Sequence, residues 1–207
     1  MSQGAIAVPL EGRPMSLAEW ADLPEDEPGE LVDGRLVEDE VSDAPHEVVV
    51  SWLIVLLGLW LRGRNGRVLG SDAKFAVAPR RGRRPDISIY FSRDHKLPRR
   101  GALRVPPDVI VEVVSSPPRD GRRDRVEKVG EYAAFGARWY WIVDPRLRTV
   151  EILGLGGDGH YSIEASVSEG VLLVPGCEGL ELDIDALWRE LDESIEGGAG
   201  EEPTSSD

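Results

Sequence analysis

The sequence has few of the residues that several common classes of protein depend on. Its 207 residues include a single cysteine, Cys177, which excludes an internal disulfide and fits a reducing compartment. The most apolar run (48–61) has 14 residues, short of the roughly 20 that span a bilayer, so it predicts a buried helix. The N-terminus lacks a basic segment ahead of a longer apolar core, so no signal peptide is predicted. We therefore expect a soluble, cytoplasmic protein.

Negative charge dominates the chain, but positive charge is concentrated in its middle. The net charge is −14, yet residues 62–148 hold 21 of the 24 Lys and Arg residues and only 10 Asp and Glu. Clustered Lys and Arg suit contact with phosphates, because each of them can displace a condensed counterion. We therefore expect a nucleic-acid partner, with the basic segment 79–84, predicted to be a loop, and Arg99, Arg100, Arg122 and Arg123 as its contacts. The alternative is a solvated basic face.

The order of predicted elements indicates one α/β domain over residues 15–192. Disorder is predicted for residues 1–14 and for the acidic tail 193–207. The predicted helices are 15–23, where Ser16 and Glu19 have capping-box spacing, 46–62, 120–136 and the end of 179–193. The helix at 120–136 is expected to have Val126, Val129, Ala133 and Ala134 on its apolar side and to end at Gly136. The predicted strands include a hairpin at 29–38 around Asp33-Gly34, strands at 67–70, 73–78, 86–91, 108–114 and 138–145, and a hairpin at 149–165. This order favours an α/β sandwich around a mixed sheet.

Two carboxylates interrupt runs that otherwise read as buried strands. Asp86 lies in RRPDISIYF (84–92), and Glu112 lies in PDVIVEVVSSP (107–117). Burying an ionised carboxylate without a partner costs several kcal/mol, and two carboxylates brought together repel each other. A divalent cation between them resolves both costs, and hard oxygen ligands select Mg²⁺ or Mn²⁺. Such a metal near a basic surface suits hydrolysis of a phosphodiester; the alternative for either residue is a salt bridge to an arginine.

The same residues carry a resemblance to a known family. Pro85-Asp86 followed by Glu112 on a strand resembles the PD-(D/E)XK nuclease superfamily, although that pair alone is a weak signal. A longer ordered series resembles the Uma-two family of restriction-endonuclease-like proteins over roughly residues 15–190. The series comprises ELVDGRL (30–36), His46 at the start of an apolar helix, EVVSSP (112–117), RRDRVEKVGEYAAFGARWYWIVDP (122–145) and PGCEGLELDIDALW (175–188).

The resemblance implies a restriction-endonuclease-like fold with an added N-terminal hairpin and C-terminal β-hairpin. It also implies Mg²⁺ bound by Asp86 and Glu112, with Glu30 completing the shell of the metal and His46 near the same pocket. A homodimer is expected, because cutting two strands takes two sites. The alternative for His46 is a residue that caps its helix.

The sequence departs from the superfamily pattern at one position. Val114 stands two residues after Glu112, where the superfamily carries its lysine. Lys128 on the following helix matches a lysine of the family and shares a helix face with Asp124 and Tyr132, at spacings of four residues. We therefore expect Lys128 to supply the missing cation, the alternative being a surface pair with Asp124.

These observations predict a metal-dependent DNA endonuclease. One rival is a catalytically inactive nuclease-fold module for DNA binding or assembly, which Val114 favours. A second rival is a metal-dependent hydrolase that acts on nucleotides or RNA.

Overall fold

The computed structural model describes residues 12–24, 29–37, 42–115 and 123–195, with Arg123 and Asp124 described in their backbone alone. The α-helices are α1 (Leu17–Ala21), α2 (Ala44–Trp60), α3 (Lys128–Phe135) and α4 (Ile184–Ser194), and a π-helical turn (Arg123–Glu127) leads into α3. The strands are β1 (Glu30–Val32), β2 (Arg35–Val37), β3 (Arg67–Leu69), β4 (Phe75–Ala78), β5 (Arg81–Arg83), β6 (Ile87–Tyr90), β7 (Val109–Val113), β8 (Trp139–Asp144), β9 (Thr149–Leu155), β10 (Tyr161–Val167), β11 (Val171–Leu173) and β12 (Glu181–Asp183).

The centre of the molecule is a mixed six-stranded sheet in the order β10-β9-β8-β7-β6-β3. Strands β7 and β8 run parallel, and the other neighbouring pairs are antiparallel. The parallel pair is joined through α3, because parallel neighbours need a crossover connection. The predicted α/β class with a mixed sheet is therefore confirmed. The 149–165 hairpin, predicted as an addition to the core, extends this sheet at its edge.

Helices cover both faces of the six-stranded sheet. Helices α2 and α4 pack on one face, where Leu53, Leu57 and Trp188 meet the odd-numbered valines of β7. Helix α3 packs on the other face, where Tyr132 meets Ile110. Burial of both faces is expected for β7, because its nearly continuous apolar run must be covered on both sides.

Helix α2 begins at Ala44, two residues before the predicted start. Asp43 is its N-cap, because the Asp43 carboxylate accepts a hydrogen bond from the His46 N–H at 3.0 Å, and Pro45 lies in the first turn. Both features are favoured at helix N-termini. In the parts of the chain that the structure describes, neither this helix nor another is long and apolar enough to cross a membrane.

A second, antiparallel sheet has the order β2-β1-β5-β4. The turn between β1 and β2 is the predicted Asp33-Gly34 turn, with φ values of 51° and 76° that a tight primed hairpin requires. The prediction of a loop over 79–84 is wrong, since Arg81–Arg83 pairs with both β1 and β4. The arginine-rich sequence did not indicate a strand, and the side chains of Arg81 and Arg83 form ion pairs with carboxylates of the protein itself.

The predicted apolar side of the helix at 120–136 is only partly right, because Val129 packs against the apolar cluster that contains Tyr132 whereas Val126 does not. Val126 is 61 % exposed, whereas the buried residues of α3 are Lys128 and Tyr132. The reason is that α3 faces polar groups of the sheet as well as its apolar core. The predicted end of the helix is confirmed, because Gly136 has a φ of 95° and its N–H bonds back to Tyr132 and Ala133.

The ends of the domain differ by a few residues from the predicted boundaries. Gly12 donates its N–H to the Leu36 carbonyl, and Pro14 bridges to Arg35, so these two residues lie against β2. Helix α4 continues to Ser194. The predicted disorder of residues 1–11 and 196–207 lies outside the described residues.

Gly82 is expected to be essential for packing α1 on the smaller sheet. A Cβ at this position would lie 2.3 Å from the Trp20 indole, and overpacking of this kind costs about 1–3 kcal/mol. Gly82→Ala should therefore lower the free energy of unfolding by that amount in urea titrations. Gly130→Ala in α3 is the control, because no heavy atom lies within 4 Å of its added Cβ. If Gly82→Ala is as stable as the control, the described contact with Trp20 is contradicted.

Candidate active site

Asp86 directly precedes β6 and Glu112 lies on the neighbouring β7, so both residues belong to the same end of the six-stranded sheet. Strands β6 and β7 are antiparallel, with Ile87 opposite Val111. Strand pairing therefore gives the two predicted residues adjacent positions in the sheet, while their carboxylates bind different helices, Asp86 to α2 and Glu112 to α3.

The Asp86 carboxylate is fixed on both of its oxygens. Oδ2 accepts a hydrogen bond of 2.7 Å from the N–H of Val113, and Oδ1 lies 3.1 Å from Nε2 of His46. Pro85 and Asp86 directly precede β6, and the side chain of Asp86 accepts the hydrogen bond of a β7 N–H at this end of the strand pair. Asp86 is therefore held between β7 and α2.

His46 is a buried partner of Asp86, 4 % exposed in the first turn of α2. The cap of that helix is Asp43, so capping does not account for the histidine side chain. Burial lowers the pKa of His46, but the hydrogen bond and the charge of Asp86, with Glu47 contributing, outweigh burial and leave that pKa raised. The raised pKa favours the protonated imidazole, which forms an ion pair with the Asp86 carboxylate.

Glu112 is 3 % exposed and is also held on both oxygens. Oε1 accepts a hydrogen bond of 2.6 Å from the Tyr132 hydroxyl, and Oε2 lies 3.0 Å from Nζ of Lys128. Lys128 and Tyr132 are four residues apart, so they extend from successive turns of α3. Burial, followed by the charge of Glu112, raises the pKa of Tyr132 well above its usual value, which keeps the hydroxyl a proton donor.

Lys128 places an ammonium next to Glu112, which Val114 cannot do. The lysine is only 8 % exposed and contacts Glu112, so it is not a surface residue. The side chain of Asp124, its alternative partner, lies outside the described residues. Val114 packs against the apolar cluster beneath α3. The cation next to Glu112 therefore comes from the helix that follows the strand.

Glu30 lies on β1 and is 2 % exposed. Oε2 lies 2.5 Å from Nη1 of Arg83, and Oε1 accepts a hydrogen bond of 3.1 Å from the Arg84 N–H. Its predicted role in completing a metal shell stays a prediction, because these contacts neither require nor exclude it. They do show that Glu30 binds the strand that leads into Asp86.

Arg83 contradicts the expectation that the basic segment 79–84 as a whole contacts phosphate. It is completely buried, and its guanidinium binds Glu131 of α3 as well as Glu30. Burial alone would lower the pKa of Arg83, but the charges of Glu30 and Glu131 raise it above its usual value. Sequence reasoning missed this set, because nothing local links Arg83 to a glutamate 48 residues further along the chain.

The donor chemistry of the site fits a hard divalent cation. Among the described residues, no group of three or more His, Cys, Asp or Glu side chains is arranged to hold a metal ion. Mg²⁺, however, is usually held by one or two carboxylates while it keeps several waters. Asp86 and Glu112 offer oxygen ligands of that kind. They are therefore the candidate ligands for a divalent cation at this end of the sheet.

The fold is that of a restriction-endonuclease-like protein, as comparison with known proteins shows. A crystal structure of a "putative nuclease belonging to DUF820" from Anabaena variabilis ATCC 29413 has a similar fold. It aligns with a TM-score of 0.68 at 21 % identity, covering 86 % of this chain and 99 % of that one. Residues 16–185 match the Uma2 family, described as "Putative restriction endonuclease". The chain belongs to the Uma2 family, as the resemblance implied, and this membership supports a nuclease function. Among curated proteins, none matches the chain.

Proposed function

We propose that the protein is a Mg²⁺-dependent DNA endonuclease of the PD-(D/E)XK type, with its lysine displaced from the strand to α3. The observation that carries the proposal is the contact of 3.0 Å between Lys128 Nζ and Glu112 Oε2, on the strand that pairs with the segment following Asp86. A buried lysine at this point restores the cation that Val114 removes from the strand. The segment before β6, strand β7 and helix α3 would then supply the two carboxylates and the ammonium of the proposed site.

Asp86 and Glu112 would hold Mg²⁺ or Mn²⁺, which when bound activates a water and neutralises charge on the phosphate. His46 and the Val113 N–H hold the Asp86 carboxylate in place, and Tyr132 holds Glu112. The Lys128 ammonium would orient the attacking water or stabilise the charge that develops on the phosphate oxygens. Each of these functions uses a group that the fold has already oriented.

DNA is the proposed substrate because the family is described as a restriction endonuclease and because the central part of the chain is rich in Lys and Arg. Arg99 and Arg100 are exposed in the loop between β6 and β7. Replacing both by alanine should reduce the salt slope of DNA binding by up to about two, since each phosphate contact contributes about one. Fluorescence anisotropy across a range of salt concentrations measures that slope. Arg148→Ala, Arg189→Ala is the charge-matched control, and equal slopes for both pairs would place the contact surface elsewhere.

A direct test incubates the purified protein with supercoiled plasmid, single-stranded DNA and RNA, with Mg²⁺, with Mn²⁺ and with EDTA. The proposal expects nicked or linear plasmid only where metal is present. RNA cleaved in preference to both DNA forms would favour the rival hydrolase. Binding to plasmid without cleavage under all metal conditions would favour an inactive nuclease-fold module, for which Val114 remains the supporting observation.

We further propose that the active form is a homodimer, because breaking both strands of a duplex at one place requires two sites. Light scattering at the concentrations used for cleavage measures the assembly. A monomer that only nicks plasmid would contradict this part of the proposal and leave the chemistry of the site unaffected.

A further inference from the structure

Helix α3 contacts two different parts of the molecule with neighbouring residues. Lys128 and Tyr132 face Glu112 on the six-stranded sheet, whereas Glu131 faces the smaller sheet and meets Arg81 and Arg83 of β5. The helix has only eight residues. A helix this short is marginal by itself, so its position is set by what it contacts.

Arg83 is the centre of the contacts on the second side. Its Nε and Nη2 bind the two oxygens of Glu131 at 2.6 Å and 2.8 Å, and its Nη1 binds Glu30 at 2.5 Å. Two parallel bonds between a guanidinium and a carboxylate fix orientation as well as distance. Because β5 leads within three residues to Asp86, the same arginine links the helix of Lys128 to the strand of Asp86.

We propose that Arg83 is a positioning residue: by joining Glu131 on α3 to Glu30 on β1, it sets the point at which Lys128 meets Glu112. This inference rests on the proposed function for its catalytic consequence, but the placement of Lys128 is a property of the protein alone. Stability does not explain the cluster well, because apolar residues of similar volume commonly stabilise a core as much as a buried ion pair does. Orientation of a neighbouring catalytic group is what the fork geometry adds.

The chain has three lysines, which makes the placement of Lys128 directly measurable. Competitive acylation at one pH, read by mass spectrometry, gives the labelling rate of buried Lys128 relative to exposed Lys96 without metal or DNA. Two variants disturb the cluster: Arg83→Lys keeps the charge but loses the fork, and Glu131→Gln keeps the shape but loses the charge. Arg148→Lys is the matched control, because Arg148 forms an exposed pair with Asp192.

In both cluster variants we expect faster labelling of Lys128 relative to Lys96, and no change in the control. With DNA and Mg²⁺, kcat should fall by about 10²-fold, the scale for a misplacement near 1 Å, while KM changes little. Unchanged Lys128 labelling in Glu131→Gln, judged folded by circular dichroism, would overturn the inference. If the wild type cleaves nothing, the proposed function fails, and the labelling ratio still decides whether Arg83 positions Lys128.

Discussion

Replacing Lys128 by alanine is expected to lower the rate of phosphodiester cleavage by roughly 10²–10³, the scale for removing one preorganised group that stabilises transition-state charge. The lysine contacts Glu112 at 3.0 Å, and Val114 offers no substitute from the strand. Some stability should also be lost, about 1–3 kcal/mol, because the buried Glu112 carboxylate loses a charged partner. Single-turnover rates at saturating Mg²⁺, on protein shown to be folded, measure the catalytic effect.

Three further variants show whether the position of the ammonium, and not its charge alone, determines the cleavage rate. Lys96→Ala removes an exposed lysine and should leave the rate unchanged. Lys128→Arg should recover little, because a planar guanidinium on a longer stem places its donors elsewhere. Val114→Lys combined with Lys128→Ala returns an ammonium to the Glu112 face of the strand, so partial recovery is expected. Full activity in Lys128→Ala alone would remove the lysine from the reaction.

Magnesium is expected to stabilise the wild-type protein and not the Asp86→Asn, Glu112→Gln double variant. A ligand at about 100 times its Kd adds about 2.7 kcal/mol to the stability of the state that binds it. The double variant removes both proposed ligands, so its Tm should not respond to metal. Its Tm without metal should be lower than that of the wild type, because Lys128 and His46 each lose an anionic partner. Thermal melts at increasing Mg²⁺ or Mn²⁺ measure the response.

Thermal melts of Lys128→Ala, compared with its cleavage rate, separate metal binding from catalysis. This variant keeps both proposed ligands, so its Tm should still rise with Mg²⁺ even though its cleavage is slow. A double variant that responds to metal as strongly as the wild type would take Asp86 and Glu112 out of the proposed metal site.

The sequence predicted the parts of this structure that have local causes. The hairpin around Asp33-Gly34, the end of α3 at Gly136 and the capping box of Ser16 with Glu19 each depend on a few adjacent residues. The adjacency of β6, which follows Asp86, and β7, which contains Glu112, could also be anticipated from two neighbouring strand patterns that each carry one acid. Lys128 could be singled out because the strand lacked a lysine.

Other parts depend on contacts between distant segments and left no local signal. The β5 strand is a short arginine-rich segment, and it is stabilised by Glu30 and Glu131, which are far from it in the chain. The buried residues of α3, Lys128 and Tyr132, contact Glu112 of the sheet, so counting apolar residues missed Lys128 and included the exposed Val126. Charge counting had the same weakness, because it treated the buried Arg83 as an arginine available to DNA.

The most direct test compares cleavage of one defined DNA duplex by the wild type and by Asp86→Asn, purified in parallel. The substitution keeps the size of the side chain and an oxygen that can accept the Val113 hydrogen bond, but removes the charge that a metal needs. The account predicts Mg²⁺-dependent cleavage by the wild type, its loss in EDTA, and no cleavage by the folded variant. Equal cleavage by the two proteins would show that this site does not perform the reaction.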